Sequence, residues 1–251
     1  EVQPAPPAVV SPAPSPPAFA PWIAAARPWG NAAWLAQHDD FIAQSQRGPY
    51  DVVFIGDSLA AFFPTRGAPV WQNEIVPFGT VADFGIEGDR TQFVLWRIEH
   101  GELDATKARA VVLMVGTNNL ASASPESVAH GIAADVAAIR AALPNATIVL
   151  DALWPRGAKD APARAAAADV NLRIAALADG TAVRLVDCGA SFLLPDGSID
   201  PELMPDLLHP NAAGYAVWAA ALKPVLAEIL AAPAQRASGR EARSSGRSIH
   251  R

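Results

Sequence analysis

The stretch "VVFIGDSLAAF", residues 52–62, runs four apolar residues into Gly56, Asp57 and Ser58 before turning apolar again. An uninterrupted apolar run closed by a small polar cluster reads as a strand buried on both faces, the kind a parallel sheet uses. Runs of the same type recur at residues 79–83, 110–115, 146–151 and 182–186, with helical stretches between them at 90–100, 125–143 and 161–179. A helix from Asn31, a good N-cap, places Trp34, Leu35, His38, Phe41 and Ile42 along one side. A last helix covers 211–230 with Pro224 inside it, where a bend is expected. Strands alternating with helices predict an α/β fold of three layers, α/β/α, around a five-stranded parallel sheet. In such sheets ligands bind beyond the carboxyl ends of the strands, so the residues after each strand are the ones to read for chemistry.

The chain of 251 residues is 51% hydrophobic, enough for one domain with a sizeable core. Its ends differ from its middle. Residues 1–21 are almost all Pro, Ala, Val and Ser, so residues 1–30 read as a Pro/Ala-rich disordered linker. Residues 31–231 form the expected domain, and 232–251, with five Arg and one Glu, read as an Arg/Ser-rich disordered tail. The formal charge is −6, and the basic tail makes the remainder more acidic still, which argues against nucleic acid as a partner. No apolar run is read as a membrane span. Cys188, being single, excludes an internal disulfide and a multi-cysteine metal site, and reads as a small buried residue. The first residue is Glu, followed by the Pro/Ala leader, as after removal of a signal peptide; a secreted or periplasmic location is the expectation.

The strand ends supply complementary groups. Gly56-Asp57-Ser58-Leu59 follows the first strand and "FGIEGDRT", with Gly85 and Gly88, the second. Gly116-Thr117-Asn118-Asn119 follows the third and "LWPRG" the fourth, while "PDLLHPNAAGY", with Asp206 and His209, lies beyond the fifth. Acyl transfer by a serine needs a base, a carboxylate that orients the base, and fixed donors for the tetrahedral oxyanion. Ser58 supplies the hydroxyl and His209 the base. The other histidines are poorly placed: His38, His100 and His130 fall on or beside helices and His250 in the tail. Asp206, three residues before His209, can reach its Nδ1 across one turn. The Ser58 and Gly88 backbones and the Asn118 side-chain amide can form the oxyanion hole. Asn119 is expected to be an inert neighbour of Asn118, and Leu59 and Trp154 to line the substrate pocket.

Taken together these blocks resemble the SGNH (GDSL) hydrolase superfamily: Ser58 in "GDSL", Gly88 in "GIEGD", Asn118 in "GTNN", and Asp206 with His209 in "DLLH". Within it, "FGIEGDRTQFVLWRIEHGELD", "VGTNN", "LWPRG" and "HPNAAGY" are similar to the branch of platelet-activating-factor acetylhydrolase isoform Ib catalytic subunits. The resemblance spans roughly residues 31–230. It implies a flavodoxin-like sheet of order 2-1-3-4-5, and cofactor-free hydrolysis of small acyl esters; no metal is expected, since His209 and Asp206 alone are too few ligands near one another. Two residues depart from the pattern. Glu87 stands where relatives usually have Gly, putting a carboxylate beside an oxyanion donor, and Asp83 replaces a usual Asn.

A serine esterase for short, acetyl-type esters is therefore the leading reading. An O-acetyl esterase or acetyltransferase acting on a carbohydrate or cell-envelope ester would use the same residues, so the substrate is a small acyl ester, of a glycan or a lipid. A non-catalytic ligand-binding module on this scaffold is the alternative of another class. The Gly-x-Ser-x-Gly elbow of the α/β-hydrolases is absent, and "GIEGD" is neither a dinucleotide fingerprint nor a P-loop. Oligomeric state stays open.

Overall fold

The computed structural model describes residues 20–232. Residues 1–19 and 233–251, most of the expected linker and tail, lie outside the described residues. Five strands, β1 (Val52–Gly56), β2 (Val81–Gly85), β3 (Ala110–Met114), β4 (Thr147–Asp151) and β5 (Val183–Val186), form one parallel sheet of order β2-β1-β3-β4-β5. The predicted fold class and strand order hold. Gly56 sits in register with Gly85 on one side and Met114 on the other, so β1, β2 and β3 end level.

Side chains alternate between two cores. Val53, Ile55, Phe84, Val111, Leu113, Ile148 and Leu150 face one of them. There they meet α5 (Thr91–Glu99), α6 (Pro125–Ala142) and α7 (Pro162–Ile174) through Val94, Ile132, Ile139 and Val170. Val52, Phe54, Val112, Met114 and Val149 face the other. That side is covered by α8 (Ala212–Ala231), through Tyr215, Trp218, Leu222 and Leu226, and by Phe63, Trp71 and Ile75 from the β1–β2 connection. Both faces being covered is why the strands could be continuous in apolar residues.

Three features differ from the sequence expectation. Asn31 is the first residue of α1 (Asn31–Ser45) rather than its cap; Gly30 precedes it in the left-handed region, with no side-chain cap. The connection after β1 is not a plain loop but α2 (Ser58–Ala61), α3 (Phe63–Arg66), α4 (Ala68–Val70) and a π-helical turn, Trp71–Ile75. Its helices are too short to show a periodicity. Finally, α8 is long and apolar enough to cross a membrane by length and composition, yet Tyr215, Trp218, Leu222 and Leu226 are buried against the sheet. It runs unbroken past Pro224, and its last carbonyls are met by Arg109, whose guanidinium donates to Leu230 O at 2.9 Å and Ala232 O at 2.6 Å.

Residues 20–30 also depart from the linker reading, because they pack on the domain. Thr91 donates its hydroxyl to Pro21 O at 2.8 Å, Ala25 N–H donates to Gln92 O at 3.0 Å, and Trp22 stacks on His130 at 4.6 Å.

The level strand ends let α2 approach the sheet closely. A Cβ at Gly85 would lie 2.3 Å from Ala61 N, in the backbone of the helix that Ser58 opens. Gly85→Ala is expected to push α2 outward, destabilising the fold by about 1–3 kcal/mol and lowering esterase activity. Thermal unfolding and p-nitrophenyl acetate hydrolysis read the two effects. A fully active, equally stable variant would show that α2 is free to shift.

Candidate active site

β1 ends at Gly56, where a Cβ would fall 1.9 Å from Met114 O, so only glycine fits. Asp57 then caps α2: its carboxylate accepts from Leu59 N–H at 3.0 Å. Ser58 becomes the first residue of that helix, where a backbone N–H has no intrahelical acceptor. Its Oγ lies 3.0 Å from His209 Nε2, and His209 Nδ1 lies 2.7 Å from Asp206 Oδ2.

The Asp206–His209 segment is a bend rather than a helical turn. Leu207 takes a left-handed φ of 60°, which costs a side-chain-bearing residue about 1–2 kcal/mol. It lets Leu208 and His209 both donate their N–H groups to Asp206 Oδ1, at 3.0 and 2.7 Å. Partial burial works against ionisation of Asp206, but these donors and the imidazole outweigh it and hold the carboxyl below its usual range. An ionised carboxylate on Nδ1 leaves Nε2 as the nitrogen that accepts from Ser58. The remaining described histidines are engaged elsewhere: His38 with Glu102, His100 with Trp96 O, His130 with Trp22.

Gly88 and Asn118 meet through Asp89. Asn118 donates its side-chain amide to Asp89 O at 2.9 Å, which spends one of its two N–H bonds and fixes the direction of the other. Gly88 has φ 78°, as the third residue of a β-turn closed by Asp89 N–H on Ile86 O at 3.1 Å. Glu87 is exposed and the Arg27 guanidinium binds its backbone carbonyl at 2.9 Å, so its carboxylate is not forced onto the glycine. Asp83 accepts from Gly85 N–H at 2.6 Å, a role an Asn oxygen would fill as well.

Two expectations fail. Leu59 and Trp154 are not open pocket walls: each is 2% exposed and packed in the core with Phe54 and Trp218. Nor is Asn119 inert. It is buried, accepts from Thr91 N–H at 3.1 Å and donates to Gln92 Oε1 at 2.9 Å, so it ties the third loop to the start of α5.

Reading strand ends missed the residues that hold these loops. Arg156 donates to Thr117 O and Oγ1, at 2.7 and 3.0 Å, one residue from Asn118. Arg97, wholly buried, donates to Asp89 Oδ2 at 2.9 Å, Phe84 O at 2.8 Å and Gly56 O at 3.2 Å, and pairs with Glu102. A lone Arg amid the apolar positions of a helix was the available signal.

Over residues 54–217 the sequence matches the GDSL-like Lipase/Acylhydrolase family. The chain belongs to this family. It is 37% identical over 203 residues to platelet-activating factor acetylhydrolase IB subunit alpha1 of Rattus norvegicus, covering 80% of this chain and 86% of that protein. A GDSL-like lipase from Bacteroides thetaiotaomicron superposes with TM-score 0.64 at 20% identity, over 78% of this chain and 98% of the other. An acetylxylan esterase from Geobacillus stearothermophilus gives 0.55 at 18%, over 70% and 93%. At such identities the structural likeness carries the fold alone. Family and relatives together make this chain a carboxylic ester hydrolase.

The buried carboxyls set the pH response of the fold. Burial pushes Asp57 up to about 7, against the pull of Leu59 N–H, and Asp89 up to about 6, despite Arg97; Asp135 and Asp151 are raised as well. Each binds its proton more tightly folded than unfolded, where its ordinary value is 3.8. The stability this gives is complete below about pH 4 and lost as pH rises through about 6–7. The thermal midpoint is expected to fall between about pH 5 and pH 8. Asp57→Asn, which keeps the acceptor for Leu59, should make that fall shallower. A midpoint that rises over this window would contradict the assignment of these carboxyls.

Proposed function

We propose that the protein hydrolyses short-chain, acetyl-type carboxylic esters, with Ser58 as nucleophile, His209 as general base and acid, and Asp206 as its orienting carboxylate. The observation that carries this reading is the continuous relay from Ser58 Oγ to His209 Nε2 at 3.0 Å, and from Nδ1 to Asp206 at 2.7 Å, assembled from loops 151 residues apart in sequence. In the first half-reaction His209 takes the Ser58 proton as Oγ attacks the ester carbon, and Asp206 stabilises the imidazolium. The imidazolium then protonates the departing alcohol. Water, activated by the same nitrogen, returns the acyl group as acid.

The oxyanion is received by the N–H groups of Ser58 and Gly88 and by the Asn118 amide. Two of the three are backbone donors, and the third is anchored by Asp89 O, so little reorganisation accompanies charge development. Leu59, the residue after Ser58, is buried in the core rather than lining an open groove, which supports a short acyl group. A second reading, an O-acetyl esterase or transferase on carbohydrate, is favoured by Trp29, whose half-exposed indole lies 5.4 Å from the Arg27 guanidinium bound at the Gly88 turn.

Ser58→Ala should abolish p-nitrophenyl acetate hydrolysis and fluorophosphonate labelling in a folded protein, with His209→Ala close behind and Asp206→Asn less severe. Asn118→Ala should lower kcat by about 10²–10³ with little change in KM. Asn119→Ala should act mainly on stability, through the lost cap on Thr91. Wild-type labelling of folded Ser58→Ala would sink the mechanism.

Among p-nitrophenyl esters, acetyl and propionyl should be preferred, with rates falling steeply beyond butyryl. Efficient octanoyl cleavage would refute the short-acyl reading. Release of acetate from acetylated sugars at rates above p-nitrophenyl acetate would select the carbohydrate reading.

A further inference from the structure

The Gly88 donor belongs to a peptide group that can point either way. Ile86, Glu87, Gly88 and Asp89 form a β-turn closed by the Asp89 N–H bond to Ile86 O. Gly88 at its third position has φ 78°, while Glu87 is not among the positive-φ residues, which makes this a type II turn. Types I and II differ by a flip of the central peptide, here Glu87–Gly88, and glycine tolerates both signs of φ. Because the peptide is planar and trans, the Glu87 carbonyl and the Gly88 N–H point in opposite directions. Whatever fixes one fixes the other.

Arg27 fixes the carbonyl. Its Nη1 donates to Glu87 O at 2.9 Å, and Nη2 lies 3.3 Å from where a Gly88 Cβ would stand. A guanidinium only donates, so it attracts that carbonyl and would repel an N–H turned toward it. The segment carrying Arg27 is itself fastened to the domain. Pro21 O and Ala25 N–H bond to Thr91 and Gln92, and Trp29 packs edge-on against Phe93 at 5.3 Å.

We infer that Arg27 is a positioning residue for the oxyanion hole, locking the Glu87–Gly88 peptide in the type II orientation so that the Gly88 N–H faces the developing charge. In the flipped turn a carbonyl would replace the donor there, which both removes a hydrogen bond and opposes the oxyanion. Residues 20–30 then belong to the catalytic unit rather than to a linker. The inference rests on the proposed role of Gly88.

The test is a kinetic cycle on the full chain with p-nitrophenyl acetate. Arg27→Ala should lower kcat about tenfold, the scale of one charge-assisted hydrogen bond, with KM little changed. Its thermal midpoint should stay near wild type, since Arg27 is only partly buried. Arg27→Lys should recover part of the loss, because an ammonium can donate to the same carbonyl. Gly88→Ala disfavours φ 78° and so favours the flipped turn by itself; in that background Arg27→Ala should cost less than about twofold.

Losses that multiply fully in the double variant, or a loss confined to KM, would overturn the inference, the latter making Arg27 a substrate contact. So would an unchanged kcat in Arg27→Ala where Asn118→Ala still lowers it, and that outcome leaves the oxyanion reading standing. Full kcat in Asn118→Ala would instead remove the oxyanion reading, and this inference with it.

Discussion

The buried guanidinium of Arg97 is the constraint on which the site depends. A cation with no solvent exposure survives only if its donors are met, and here they are met by parts of the chain that must lie together. Gly56 O and Phe84 O come from the ends of β1 and β2, Asp89 from the turn carrying Gly88, and Glu102 from the segment after α5. Trp34 adds its indole N–H to Asp89 at 2.8 Å, and His38 lies 2.8 Å from Glu102, so α1 is drawn into the same cluster. Removing one carboxylate would leave charge uncompensated in the core, a loss several times that of a surface ion pair. The serine's strand end and the glycine turn are thus held to a common cation and keep their relative position.

His209 is held from the opposite face of the sheet. Tyr215 on α8 donates its hydroxyl to Leu59 O at 2.9 Å, joining the helix that begins three residues after His209 to the one that begins at Ser58. Asn211 caps α8 through Gly214 N–H at 3.1 Å and holds Glu202 O at 2.7 Å, and Gly157 N–H holds Leu207 O at 2.8 Å. The 3.0 Å separation of Ser58 and His209 is therefore set by contacts outside the pair. Asp206 is itself exposed, and these contacts hold the segment on which its carboxylate meets the imidazole.

Strand positions were legible because burial on both faces leaves a continuous apolar run such as residues 52–55, a pattern that survives without tertiary knowledge. The candidate residues at the strand ends could be picked out because acyl transfer would need particular residue types there, and the structure brings Ser58, His209 and Asp206 together. What escaped the sequence depends on partners far along the chain. Asn119 looks like turn chemistry until Thr91 and Gln92 come beside it. Leu59 and Trp154 follow strands as pocket residues would, but their side chains turn into the core. Residues 20–30 have the composition of a linker, and it is Glu87, Thr91, Gln92, Phe93 and His130, sixty or more residues on, that give them something to bind.

Buried carboxyls near the site show what such an arrangement costs. Asp57 keeps one oxygen, Oδ2, buried with no partner among the described residues, and burial raises it to about 7. A residue with only a capping role could sit at the surface, as Asp179 does, where four donors to one oxygen hold it down to about 2. Asp57 cannot, because the helix it caps must start at the level of the neighbouring strand ends, under the turn that Arg97 holds. The penalty is accepted at the residue next to Ser58, the proposed nucleophile. The burial that weakens the fold at higher pH thus follows from seating α2 against the sheet.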